Sequence, residues 1–175
     1  MGFKKISVVS DTGPLIHISE IDSINLLKYF NNIYVPESVR LEYIKHRKSS
    51  DPDAFELENI NLNKVKDIEV KKFIDKYELL KLHLGEKECL YLCRKLYINL
   101  ILTDDLAVRD TAKKLDITPV GSIGVIIKSF KENIISLSQA EKYIINLYEI
   151  SSLYVTKTIV ELVIEELREA NKNNK

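Results

Sequence analysis

Short apolar runs rich in β-branched residues recur along the chain, and each is followed by a stretch whose apolar positions return every three or four residues. The first run, residues 6–10 (ISVVS), has the pattern of a buried strand. It stops at Asp11, and Thr12-Gly13-Pro14 turns the chain, with Pro14 placed to open a helix over residues 14–20. Asp22 reads as the N-cap of a second helix carrying Ile24, Leu26, Leu27 and Phe30, which ends at Asn31-Asn32. Residues 33–35 form a second short strand closed by Pro36. Residues 37–46 (ESVRLEYIKH) follow as a helix with Val39, Tyr43 and Leu41 as the inward candidates, and residues 47–53 (RKSSDPD) as a polar loop.

Residues 54–66 combine a small helical piece with an edge strand expected toward 64–70, where alternation is weak. Residues 70–84 are helical by pattern. Gly85 interrupts them, and residues 86–97 form an amphipathic helix carrying Cys89, Leu90, Cys93 and Leu96. Residues 99–103 (NLILT) are another buried-strand run, ending in Asp104-Asp105. A helix over 106–115, a strand over 117–120 and a helix from Gly121-Ser122 to Lys131 come next. Ser136 or Ser138 caps a helix reaching about residue 150, and Thr156 or Thr158 opens a last helix that fades into the polar tail 171–175. This alternation predicts an α/β fold, a parallel sheet with helices on both faces. Residues 1–132 would form its main domain, with residues 133–175 a C-terminal helical extension packed on it.

A chain of 175 residues fits one domain with an appendage. Its formal net charge of zero argues against a surface coated in basic charge for indiscriminate nucleic-acid binding, while leaving room for a local basic patch. Cys89 and Cys93 lie four apart on one helix, point in nearly the same direction and make a poor disulfide, so both read as core residues of a reducing compartment. No run reaches the ~18 apolar residues of a membrane span. The opening MGFKKISVVSD contains no cleavable signal, and Gly2 matches a myristoylation pattern only loosely. The expected location is the cytoplasm.

Carboxylates mark the strand ends. Asp11 follows SVVS, and Asp104-Asp105 follows LILT. Parallel strands place those ends on one edge, where ligands gather in open α/β sheets. Glu42, on the helix after the second strand, and Glu86, at the start of the helix before LILT, could lean over the same edge. Carboxylates this close repel unless protonated or bridged by a cation. An all-oxygen set suits Mg²⁺ or Mn²⁺, and two such ions ~4 Å apart can bind a phosphate, activate a water and stabilise a leaving oxygen. Each acid also has a local use. Asp11 and Asp104 could cap helices, Glu42 could be a solvated surface residue, and Glu86 could favour a helix N-terminus.

The segments VVSDTGPLI, VPESVRLEY, GEKECLYLC, LILTDDLAVRDTAKKL and GSIGVI, in this order and spacing, resemble the PIN-domain ribonucleases, and more narrowly the prokaryotic branch related to VapC-type toxins. The likeness covers about residues 5 to 130. It implies a PIN fold, divalent-metal-dependent cleavage of RNA and a toxin role with a partner antitoxin protein. It places the family's acids on Asp11, Glu42, Glu86 and Asp104, with Asp105 as an extra ligand. Asp11 and Asp104 would bind the main ion, and Glu86 and Glu42 would complete the pocket. Relatives often carry Asp where this chain has Glu86, one methylene longer. Thr12 and Thr103 fall where the family often has a small hydroxyl near the metal.

Other features have two readings. Arg109, one helical turn after Asp105, could steer a substrate phosphate or pair with Asp105 or Asp110. The cationic run 45–48 reads as a charged helix end rather than an RNA contact. His17 and His83 lack partners at ligand spacing and read as structural. Residues 121–124 (GSIG) are too short for a Gly-rich phosphate loop, and no Ser-His-Asp pattern is present. The apolar stripe Ile159, Leu162, Val163 and Leu167 could pack on the sheet or on a twin subunit, and the family likeness makes a homodimer reasonable. The rival functions are a PIN-like RNA- or protein-binding module without catalysis, and a phosphatase or receiver-type phosphate enzyme. Gly13, two residues after the first acid, counts against the latter.

Overall fold

A computed structural model describes residues 6–173. The opening segment that contains Gly2 and the last two residues of the polar tail lie outside the described residues. Five short strands, β1 (Ser7–Ser10), β2 (Asn32–Pro36), β3 (Ile60–Asn63), β4 (Leu100–Leu102) and β5 (Thr118–Val120), form one parallel sheet in the order β3-β2-β1-β4-β5. The first run of the chain is its central strand, with Val8 beside Ile33 of β2 and Val9 beside Ile101 of β4. Adjacent strand residues point to opposite faces. Val8 and Val9 are both wholly buried, so both faces of the sheet are covered.

The covering helices are α1 (Thr12–Glu20), α2 (Glu37–His46), α3 (Asp67–Tyr77), α4 (Leu84–Lys95), α5 (Leu106–Lys114) and α6 (Ser122–Lys131). α4 crosses β2, β1 and β4 and buries Cys89, Leu90, Leu92 and Cys93 in the core, with both thiols free. Burial pushes both thiols well above their ordinary range, as expected of core cysteines. Beyond α6, α7 (Leu137–Glu149) packs on α6, and α8 (Lys157–Asn173) packs on α7 through Val160 and Leu167. Of the apolar stripe read on α8, Leu167 is buried, whereas Ile159 and Leu162 face solvent. No helix is long and apolar enough to cross a membrane among the described residues.

Several local expectations shift. The run Ile24–Tyr29 is a 3₁₀ helix, and Asp22 does not cap it. With φ of 52°, Asp22 terminates α1 in the left-handed region. The edge strand is Ile60–Asn63, not 64–70. It carries no clean alternation because it is held by backbone pairing with β2, with Leu62 exposed and the other three residues half-buried. α3 begins at Asp67 and stops at Tyr77, where Glu78 turns left-handed at φ 56°. α4 then begins before Gly85, which sits in its first turn. A Cβ there would lie 3.2 Å from Val39 Cγ2, so the residue permits a close approach of α4 to α2 rather than a break.

Candidate active site

β1 and β4 are neighbours although the chain leaves β1 toward β2, so the sheet winds outward from this pair in both directions. That makes the carboxyl ends of β1 and β4 the switch point at which open α/β sheets bind ligands. The Asp11 amide donates to Leu102 O at 2.9 Å, which fixes the ends of β1 and β4 side by side, and the Thr103 amide donates to Val120 O at 2.9 Å, which adds the end of β5. The Asp11 carboxylate is almost wholly buried. Oδ1 accepts from the Thr12 amide at 2.8 Å and Oδ2 from the Thr103 hydroxyl at 3.3 Å. Burial pushes its pKa from 3.8 to about 7. The neighbouring Glu86 and Glu42 add to the rise, against the opposing Thr12 and Thr103 hydrogen bonds.

Glu42 reaches the same place from α2, with Oε2 accepting from the Thr12 hydroxyl at 3.0 Å. A Cβ on Gly85 would stand 3.7 Å from that oxygen, so the start of α4 lies against it. One residue on, Glu86 accepts from the His83 amide at 2.8 Å and completes the first turn of α4. Burial raises its pKa, and Asp105 and Glu42 add to the rise. Asp105 caps α5 by accepting from the Val108 amide at 2.9 Å, while its own amide donates to Thr103 Oγ1 at 3.3 Å. Asp11, Glu42, Glu86 and Asp105 are therefore gathered at one edge, each leaning on a local donor. Thr12 and Thr103 spend their hydroxyls orienting Glu42 and Asp11.

Asp104 engages α6 and α1 instead. Its Oδ1 accepts from the Ser122 amide at 2.8 Å. Oδ2 accepts from the Ser122 hydroxyl at 2.6 Å and lies 2.8 Å from His17 Nδ1. Burial would raise its pKa, but the bonds to His17 and Ser122 outweigh it and hold the carboxyl below its ordinary value. Ser122 is wholly buried and its hydroxyl donates a hydrogen bond to the carboxylate, so the trio is a hydrogen-bonded knot and not a nucleophile with its base. Arg109 donates to Thr103 O at 3.3 Å, and Asp110 pairs with Lys113 at 3.9 Å rather than with Arg109. In the cationic run, Arg47 staples its own loop through Asp51 O and Asp53. His17 and Ser122 were not legible as site neighbours. The one signal was that His17 lies one turn beyond Gly13 on the helix that starts at the strand end.

As the side chains stand, no three His, Cys, Asp or Glu residues converge tightly enough to ligate one ion among the described residues. The donor chemistry nonetheless fits a hard divalent cation. Four carboxylates share the edge, and Asp11, Glu42, Glu86 and Asp105 have no ion pair with a Lys, Arg or His among the described residues. An uncompensated buried carboxylate among like charges is the electrostatic complement of such an ion.

The fold and site define an α/β protein wound both ways from a central strand, with acids collected at its switch point. The chain belongs to the PIN domain family: a family model described as a PIN domain matches residues 7–169, from β1 into the last helix. PIN domains are generally nucleases and generally use divalent metals. No curated protein matches the chain.

Proposed function

We propose that this chain is a Mg²⁺- or Mn²⁺-dependent ribonuclease that hydrolyses RNA phosphodiester bonds. The observation that carries the reading is Asp11: buried, without a cationic partner, and pushed up to about 7 by burial with Glu86 and Glu42 beside it. Asp11, Glu42, Glu86 and Asp105 would hold the metal. A bound divalent ion supplies Lewis-acid charge for the phosphodiester and lowers the pKa of a water. Thr103 keeps Asp11 aimed, and Thr12 keeps Glu42 aimed. Arg109, anchored on the Thr103 carbonyl, offers a positive charge beside the same turn for a phosphate. Asp104 is assigned a positioning role, because its oxygens are engaged by Ser122 and His17.

The test is cleavage of a labelled RNA by the purified chain with Mn²⁺, against Asp11→Asn. Loss of cleavage with an unchanged circular dichroism spectrum is expected. Equal rates, with contaminating nucleases controlled for, would overturn the assignment. A rival reading, a PIN-like RNA- or protein-binding module without catalysis, draws on the absence of three converged ligands among the described residues. Equilibrium Mn²⁺ titration separates the two, since a binding module has no need to take up the ion at this edge.

The finer reading is a cytoplasmic toxin, active as a homodimer and held in check by an antitoxin protein, with residues 133–175 an extension on the nuclease unit. Its support is the sequence likeness and the packing of α7 on α6 and α8 on α7. Growth arrest on induction, relieved by a small protein encoded beside it, is the outcome that supports the toxin role; growth without arrest counts against it.

A further inference from the structure

At the opposite edge of the sheet, the ends of α4 and α5 hand the chain to β4 and β5 through Tyr97 and Asp116. A groove of about 700 Å³ opens there. Four rings line it, Phe73, Tyr77, Tyr91 and Tyr97, with Lys76 and Arg94 among them. Phe73 packs against Tyr77 at 5.0 Å and Tyr91 at 5.8 Å between ring centroids, which makes a continuous aromatic wall. Lys76 Nζ stands 5.1 Å from the Tyr77 ring. Lys95 is already paired with Glu69 at 2.9 Å, but Lys76 and Arg94 have no carboxylate partner among the described residues. Asp116 is the single carboxylate in the lining.

Tyr97 is the residue that packing does not explain. Its φ is 55°, a left-handed conformation in which side chains beyond Gly, Asn and Asp are uncommon. The other left-handed positions in the described chain are Asp22, Glu78, Asp116 and Asn133, all polar. Tyr97 places an aromatic ring there while remaining 96% exposed, so the ring's burial does not offset the backbone strain. A large ring left 96% exposed at a helix end, beside a cation-lined groove, points to a ligand that stacks.

We propose that this groove is a binding site for single-stranded RNA, distinct from the acidic edge, with a base stacking on Tyr97 and phosphates meeting Lys76 and Arg94. Rings interleaved with cations are the chemistry that holds unpaired strands, because every base has a π-face and every linkage a charge. That the strand is RNA rather than DNA rests on the nuclease reading above. The groove begins where β4 begins and the acids lie where it ends. Asn99 and Asp105 are thus about 20 Å apart along extended chain, and the groove acts on capture of the substrate and not on the chemistry.

The experiment measures anisotropy of a labelled oligouridylate of about 12 nucleotides with the full chain, in EDTA and low salt. Tyr97→Gly is expected to weaken binding at least tenfold while raising the melting temperature, since glycine relieves the left-handed strain. Tyr97→Phe keeps parental affinity. Arg94→Glu weakens binding and flattens its salt dependence. In cleavage assays Tyr97→Gly raises KM with kcat unchanged. The proposal is overturned if the parent shows no saturable binding, if Tyr97→Gly and Arg94→Glu bind like the parent, if duplex RNA binds as tightly, or if the groove instead captures a protein partner and excludes the oligonucleotide. Asp11→Asn, assayed for cleavage alongside, tests the nuclease reading separately. Full cleavage by that variant together with weakened binding by Tyr97→Gly would remove the active-site assignment and leave the groove standing.

Discussion

His17 Nδ1 lies 2.8 Å from Asp104 Oδ2, which ties α1, the helix launched from the central strand, to the turn that follows β4. The same carboxylate takes the amide and hydroxyl of Ser122 at the start of α6, so one side chain joins the elements that leave β1, β4 and β5. Removing it leaves a buried amide, a buried hydroxyl and an imidazole without their acceptor. Asp104→Ala should therefore destabilise the fold by about 3 kcal/mol, in the range for breaking a buried charged hydrogen-bond network. The measurement is urea unfolding, read as a lower midpoint at unchanged slope. A midpoint within error of the parent would show that the knot contributes nothing.

Asp11 should behave in the opposite way. Its carboxyl has a pKa of about 7 in the folded chain against an ordinary 3.8. Between those values the folded state holds a proton that the unfolded state has released. Without metal, stability should thus fall as pH rises from about 4 to about 7 and level off above. The total is of the order of 4 kcal/mol as an upper bound. Asp11→Asn should remove that slope and be more stable than the parent at pH 8 in EDTA. A divalent ion must displace the same proton, so Mn²⁺ affinity should climb with pH until about 7 and then plateau. Parallel melting curves of parent and variant across this range would contradict the burial argument.

Much of this was legible in the sequence where local chemistry decides. SVVS and LILT, β-branched and bounded by acids, marked the two strands that meet at the switch point, and DTGP marked the turn out of the first. Helix ends were read less well. Five helix ends close through left-handed Asp22, Glu78, Tyr97, Asp116 and Asn133, and the described glycines include none with positive φ. The glycine signal for a helix stop was absent where the stops occur, and Gly85, taken as a stop, serves close packing instead. The difference in contacts between Asp104 and Asp105 was not legible either. It depends on His17 and Ser122, 87 and 18 residues away from Asp104, and no local pattern encodes contacts at that range.

Gly121 gives a steric test of the same knot. A Cβ on it would stand 2.6 Å from Asp104 Oδ1 and 3.3 Å from Arg109 Nη1. A free carboxylate could swing away, but this one is held by Ser122 and His17. Gly121→Ala should cost about 1–3 kcal/mol, as overpacking of a fixed site does. Thermal unfolding of the variant checks it. Full stability would mean that the Asp104 side chain moves freely.

The doublet after β4 can be split by amide substitution, because the two acids differ in what they need from a negative charge. Asp105 caps α5 with one oxygen, a task asparagine performs about as well, so Asp105→Asn should keep stability within about 0.5 kcal/mol. Its charge, however, faces Glu86. Removing it should weaken Mn²⁺ binding at least tenfold and slow cleavage. Asp104→Asn should do the reverse. The amide accepts fewer hydrogen bonds from Ser122 and His17, so the melting temperature falls. Mn²⁺ affinity of the variant that remains folded should stay near the parent's. Isothermal titration with Mn²⁺ and a melting curve on each variant decide the matter. If Asp104→Asn loses the ion while Asp105→Asn keeps it, Asp104 is the ligand and its bonds to His17 and Ser122 must open when metal binds.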